Sequence, residues 1–211
     1  MVGDYKRIVM KKNIALLILA ATFLISCEEE PIGQPPIDNI PPSPVTGVEV
    51  TPLAGGAKVI YTIPADEDLL YVQARYQSEE RVRIWKSSIF TNELLLDGFG
   101  DTNEKRIIIE TVDRSKNVSE PVSAKFSPLT PPVFSVFNTV EIKEDFGGIS
   151  FTFQNPLKAE LAFVVLTSNE NDEMRQIEKI YTSVEEGNFA VRGYENVERK
   201  FGIYVADRWD N

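Results

Sequence analysis

GGAKVIYTIP, residues 55–64, and GGISFTFQNP, residues 147–156, share one pattern 92 residues apart. Two glycines open each stretch, an alternating apolar run follows, and a proline closes it. Gly-Gly marks a turn and alternation marks a half-buried strand, so each stretch reads as a turn feeding a β-strand. Outward from there the repeat keeps its register. Asp97-Gly98-Phe99 returns loosely as Arg192-Gly193-Tyr194, Asp113-Arg114 as Asp207-Arg208, and Asn117 as Asn211. The alternate residues Ile107, Ile109 and Thr111 become Phe201, Ile203 and Val205. Offsets that drift only from 92 to 95 imply two copies of one fold with small changes in the loops.

Further period-two runs at 58–63, 70–76 and 81–85 are separated by turn residues, which argues for antiparallel β-sandwiches. In the third run Val82 and Ile84 share a face and are expected to point inward, leaving Trp85 outward. No apolar stripe of helical period and length occurs after residue 26. The fold expected is all-β: two tandem sandwiches, 45–129 and 130–211, each of about seven strands. Leu129-Thr130-Pro131-Pro132 reads as a stiff joint between them.

The run 107–113, continuing as ETVDRSKNVSEPV at 110–122, resembles the last two strands and turn of fibronectin-III-like or immunoglobulin-like domains. Where such domains carry a tyrosine near the start of the penultimate strand, these copies have Lys105 and Arg199, so both are divergent. In copy one, 118–127 is expected to pair with 105–112. Copy two reaches Asn211 where that strand would follow. It is therefore expected to lack its last strand, with an open edge at 200–206 and a partly uncovered core. A truncated product is the corresponding expectation for the chain.

The other end carries a different signal. Met10-Lys11-Lys12-Asn13 precedes IALLILAATFLIS at 14–26 and then Cys27. The apolar run is shorter than the roughly 20 residues a spanning helix needs. It reads as a signal peptide at 1–26, with translation starting at Met1 or Met10. Leu24-Ile25-Ser26-Cys27 resembles the lipobox of bacterial lipoproteins, which implies lipid attachment at Cys27 and a membrane anchor of two or three acyl chains. Residues 27–44 hold Glu28-Glu29-Glu30 and six prolines, an extended tether after the anchor.

Charge and composition exclude several chemistries. The net charge is −10; without residues 1–26, which hold four basic residues and one acidic, 18 basic face 31 acidic. So acidic a chain repels nucleic acid. With no histidine and one cysteine, it has no His-dependent triad, no imidazole metal site and no internal disulfide. The expectation is no enzyme and no cofactor.

The order of lipobox, Pro-rich tether, GFGDTNE at 98–104, LTPPVFSVF at 129–137 and FGIYVADRWDN at 201–211 resembles a family of Bacteroidota lipoproteins. That resemblance covers residues 10–211. It implies an outer-membrane, surface-exposed lipoprotein with two fibronectin-III-like domains of unknown function, normally followed by a discoidin-like domain. It further implies a non-enzymatic glycan-binding or spacer role in a polysaccharide-utilisation system. The alternative is a structural module docking onto a neighbouring outer-membrane protein complex.

The candidate ligand-binding residues are Trp85 and Trp209. An outward Trp85 beside Arg81 and Arg83 could stack on a sugar ring or pack on a neighbour. Trp209, in the last turn, could bind ligand or anchor against a domain that follows; the second reading is preferred. Asp113 and Asp207 are expected to cap their turns, with Arg114 and Arg208 pairing nearby carboxylates. The acidic clusters at 66–68 and 97–104 read as solvated turns, not metal sites.

Overall fold

The computed structural model describes residues 38–78, 81–195 and 197–211. The expected signal peptide, Cys27 and most of the expected tether lie outside the described residues. In the first domain the strands are β1 (Thr46–Leu53), β2 (Gly56–Thr62), β3 (Leu69–Gln77), β4 (Val82–Ser88), β5 (Glu93–Leu96), β6 (Lys105–Asp113) and β7 (Val122–Phe126). They form two antiparallel sheets, ordered β1-β2-β5 and β4-β3-β6-β7. The second domain holds β8 (Glu141–Asp145), β9 (Gly148–Gln154), β10 (Leu161–Ser168), β11 (Met174–Thr182), β12 (Glu186–Arg192) and β13 (Phe201–Ala206). Its sheets, β12-β9-β8 and β11-β10-β13, repeat the first plan strand for strand, with no counterpart of β7 among the described residues.

Alternation along each strand builds two separate cores. Val59, Tyr61, Val72, Ala74, Ile107 and Ile109 meet between the sheets of the first domain. Ile149, Phe151, Phe153, Phe163 and Val165 do so in the second, where Phe163 lies between Phe151 and Phe153 at centroid distances of 5.4 and 4.3 Å. The repeated face differs in cover. Ile107, Ile109 and Thr111 are fully buried, whereas Phe201, Ile203 and Val205 are only partly so. β7 pairs with β6 from Lys105 to Ile109, and β13 has no such neighbour among the described residues.

A short helix was not expected. α1 (Pro132–Phe137) begins within the stretch read as a stiff joint. Proline at the first helical turn lacks only an N–H that would be unpaired anyway, so Pro131-Pro132 starts this helix and does not forbid it. α1 packs against β9 and β13 and buries Val133 and Val136 in the second core. The joint itself is pinned to the first domain. Leu129 donates to Leu53 O and accepts from Gly55 N, both at 2.9 Å.

The paired glycines now have physical reasons. Gly55 and Gly147 have φ of 63° and 68°, the left-handed region that glycine enters without penalty. Gly56 and Gly148 instead lie where a Cβ would run into the carbonyl of the facing strand, Leu96 O or Val191 O. Across bare Gly148, Arg192 of β12 reaches Asp145 of β8 at 2.7 Å. The Arg192 guanidinium, helped by the Phe146 N–H, holds the Asp145 carboxyl below the usual carboxylate range. A depressed folded pKa favours folding above the unfolded value of about 3.9, and that contribution fades as pH falls through the folded value. In an NMR carboxyl titration Asp145 is expected to titrate below the usual aspartate range, and to rise in Arg192→Gln.

Candidate functional site

The turns after β6 and β13 carry the repeated Asp-Arg. Asp113 Oδ1 accepts from Asn117 N at 2.8 Å and its Oδ2 from Asn117 Nδ2 at 2.9 Å. Asp207 Oδ1 accepts from Trp209 N and Asn211 N at 2.9 and 3.0 Å, and Oδ2 from Asn211 Nδ2 at 2.7 Å. Each aspartate thus closes its turn with the asparagine four residues on, as the residue types predict. Arg208 pairs with Asp97 at 2.9 Å and approaches Glu160 at 3.8 Å. No ion pair of Arg114 is seen among the described residues.

The first of these turns also receives the end of the tether. Asp38 N donates to Ser115 Oγ at 3.2 Å, and Asn117 Nδ2 contacts Asp38 Oδ1 at 3.2 Å and Ile40 O at 3.3 Å. Thr111 Oγ1 donates to Ser43 O at 2.7 Å, and Pro42 is buried. So 38–44 is laid along the first domain. Asp38, Asp68 and the fully buried Asp113 bring carboxylate oxygens within 4.8 Å of one another; among the described residues this is the set that could hold a cation. Asn117 supplies the amide that eases that crowding. Asn117→Ala is expected to lower stability by about 1–3 kcal/mol in denaturant unfolding, because it removes the Nδ2 donor from the buried Asp113 carboxylate.

The second turn is the junction between domains. Trp209 lies against Gly98 of the first domain so closely that a Cβ on Gly98 would meet its ring. The Arg208 guanidinium sits 3.9 Å above the Trp209 ring. Asn211 Nδ2 and Arg83 both donate to Gly98 O, the former at 3.3 Å. Trp209 is thus anchored on the preceding domain, a contact the sequence did not suggest. Gly193, the repeat of Gly98, has open space where Gly98 has Trp209.

Trp85 also departs from expectation. It pairs with Ala74, an inward residue, and so faces the core, stacked on Phe99 at 5.6 Å with Nε1 donating to Asp97 Oδ1 at 3.0 Å. Val82 and Ile84 are the outward residues, 56% and 51% exposed. Trp85 and Trp209 do come together, on either side of Asp97-Gly98, and both border one shallow depression with Arg81 and Arg83. Elsewhere in the acidic clusters, Asp101 bonds Lys105 at 2.7 Å and Asp66 accepts from Ser43 N at 3.1 Å.

Sequence reasoning missed a further feature, the outer face of the sheet β11-β10-β13. Tyr181, Ala162 and Ala206 form one row across it, and Lys179, Val164 and Tyr204 the next. Tyr181 is 73% exposed and Tyr204 46%, with small residues between. In the first domain the matching rows are Ser88, Tyr71, Val112 and Lys86, Gln73, Glu110. There Glu110 accepts from Gln73 and Arg75, each at 2.9 Å, and that network closes the face. In the second domain Val164 and Tyr204 stand where Gln73 and Glu110 do, and no such network forms there among the described residues. A groove of about 610 Å³ runs from Tyr181 to the turn at Asp207-Arg208. Its detectable signal was the replacement of Gln73 and Glu110 by Val164 and Tyr204 at repeat-equivalent positions.

Among the described residues no helix is long and apolar enough to cross a membrane. Residues 42–128 match the family described as Domain of unknown function (DUF4959), and 129–211 match Domain of unknown function (DUF5126). No curated protein matches. Solved structures similar to this chain include a two-domain fibronectin type-III segment of chicken tenascin, at 14% identity and TM-score 0.39, covering 76% of this chain and 98% of that one. Another is the chicken interferon gamma receptor alpha chain, at 13% identity and TM-score 0.36, covering 78% and 91%. The strand orders, three strands facing four in the first domain and repeated in the second up to β13, carry the assignment. The chain consists of two tandem fibronectin-III/immunoglobulin-like sandwich domains, each matched by a family of unknown function.

Proposed function

We propose that this is a non-enzymatic outer-membrane lipoprotein, anchored through Cys27, whose two sandwiches act as a stiff spacer and glycan-contact element in a polysaccharide-utilisation system. The observation that carries the spacer reading is the clamp of Arg208, Trp209 and Asn211 onto Asp97 and Gly98. Domains joined by a free linker tumble independently; a turn seated on its neighbour, beside a joint hydrogen-bonded to Leu53 and Gly55, resists that. The tether end held on the first domain extends the same logic towards the anchor. The test is palmitate labelling with protease shaving of intact cells. Label lost in Cys27→Ala, with the wild-type chain shaved from the surface, is expected. Label persisting in Cys27→Ala, or protection from the protease, contradicts the reading.

A second reading, docking onto a neighbouring surface protein, is favoured by the outward Val82 and Ile84 on the edge strand β4. An edge with apolar outer residues is a ready pairing surface. Loss of a co-purifying outer-membrane partner in Val82→Lys/Ile84→Lys is the outcome that reading requires.

A further inference from the structure

We infer that the outer face of the sheet β11-β10-β13 binds a neutral oligosaccharide, with Tyr181 as its stacking platform. This rests on the glycan-contact part of the reading above and gives it a place and a ligand class. The two domains share a fold, so their outer sheet faces form an internal control. In the first domain Glu110 accepts from both Gln73 and Arg75, and Lys86 lies over the Tyr71 ring at 4.3 Å. In the second, the same positions carry Tyr204, Val164 and Leu166, and no hydrogen-bonded network covers them. Fold stability does not require a 73% exposed tyrosine at position 181.

The chemistry around that tyrosine fits a sugar. A pyranose presents an apolar C–H face and a rim of hydroxyls. Tyr181 offers a broad aromatic ring, and Ala162, its small cross-strand partner, lines the groove beside it. Glu160, Ser183, Arg208 and Asp210 border the same groove and supply donors and acceptors for hydroxyls. Lys179 Nζ lies over one face of the Tyr181 ring, 5.2 Å from its centroid, and supplies a donor there. At about 610 Å³ the groove lies within the roughly 300–1,000 Å³ range of small-ligand sites. The ligand is a neutral glycan because the chain carries a net −10 and three carboxylates, Glu160, Asp207 and Asp210, line the groove.

Affinity electrophoresis of the whole chain tests this, in native gels containing xyloglucan, galactomannan, mixed-linkage glucan or soluble starch, with pectin and chondroitin sulfate as anionic arms. Expected is retardation by at least one neutral polysaccharide, weakened about tenfold or more in Tyr181→Ala and in Glu160→Ala. Tyr71→Ala, in the first domain, is expected to leave it unchanged. Tyr181 and Glu160 are exposed, and unchanged thermal unfolding of the variants shows that the fold is kept. Equal retardation of wild type and Tyr181→Ala overturns this site but leaves glycan contact standing. Retardation by the anionic polymers alone overturns the ligand class. No retardation by any polymer overturns both the site and the glycan-contact reading.

Discussion

Gly56→Ala is expected to destabilise the first domain by about 3 kcal/mol or more, and Gly148→Ala the second. A Cβ at either position would stand closer than 3.0 Å to a backbone carbonyl of the facing strand, Leu96 O or Val191 O. The obstacle is main chain held in a ladder, so no rotamer change relieves it. The strands must part, and the β2–β5 or β9–β12 hydrogen bonds go with them. An overpacking cost of about 3 kcal/mol is a large share of the roughly 5–15 kcal/mol by which a domain is stable. The second domain, with Phe201, Ile203 and Val205 only partly covered, has less to lose. Gly202→Ala is the control: its nearest neighbour is the flexible tip of Met174 at 3.2 Å, and a change within about 1 kcal/mol is expected. Denaturant unfolding followed by tryptophan fluorescence checks this, since Trp85 reports the first core and Trp209 the junction.

The next largest effect is expected from Asp97→Ala. Its two oxygens serve two purposes, accepting from Trp85 Nε1 at 3.0 Å within the first domain and from Arg208 at 2.9 Å across the junction. Removing the carboxylate leaves a half-buried indole N–H unpaired, which costs about 1–3 kcal/mol. The Arg208 contact is exposed and by itself worth at most about 1 kcal/mol. Its larger consequence is geometric: Trp209 loses the ion pair that fixes the arginine stacked on it. The variant is expected to unfold earlier in its first domain and to free the second. Asp97→Asn, which keeps an acceptor for Trp85, is expected to restore stability without restoring the junction.

Much of the fold was legible in the sequence because it is written twice. A repeat with offsets of 92 to 95 fixes equivalent strands without any knowledge of the sheets, and alternation names the shared face at Ile107, Ile109 and Thr111. Period two states which residues share a face but not which face is inside. For β4 that choice followed the aliphatic residues and failed. The register pairs Trp85 with buried Ala74, and the larger ring with a hydrogen-bond partner in Asp97 takes the inward side. α1 escaped notice because six residues are too few to show a helical period. The seating of the Trp209 turn on the first domain left no signal, since a pair such as Arg208 and Asp97, 111 residues apart, leaves no local trace. The tyrosine face was visible only as Val164 and Tyr204 standing where the first copy has Gln73 and Glu110, a difference that means nothing until the network around Glu110 is seen.

The second turn clamps the two sandwiches together through Arg208, Trp209 and Asn211. Backbone residual dipolar couplings of the chain measure this. Amides of both domains are expected to fit a single alignment tensor in the wild type and to separate into two in Arg208→Ala/Trp209→Ala. Two tensors of different magnitude in the wild type would overturn the clamp.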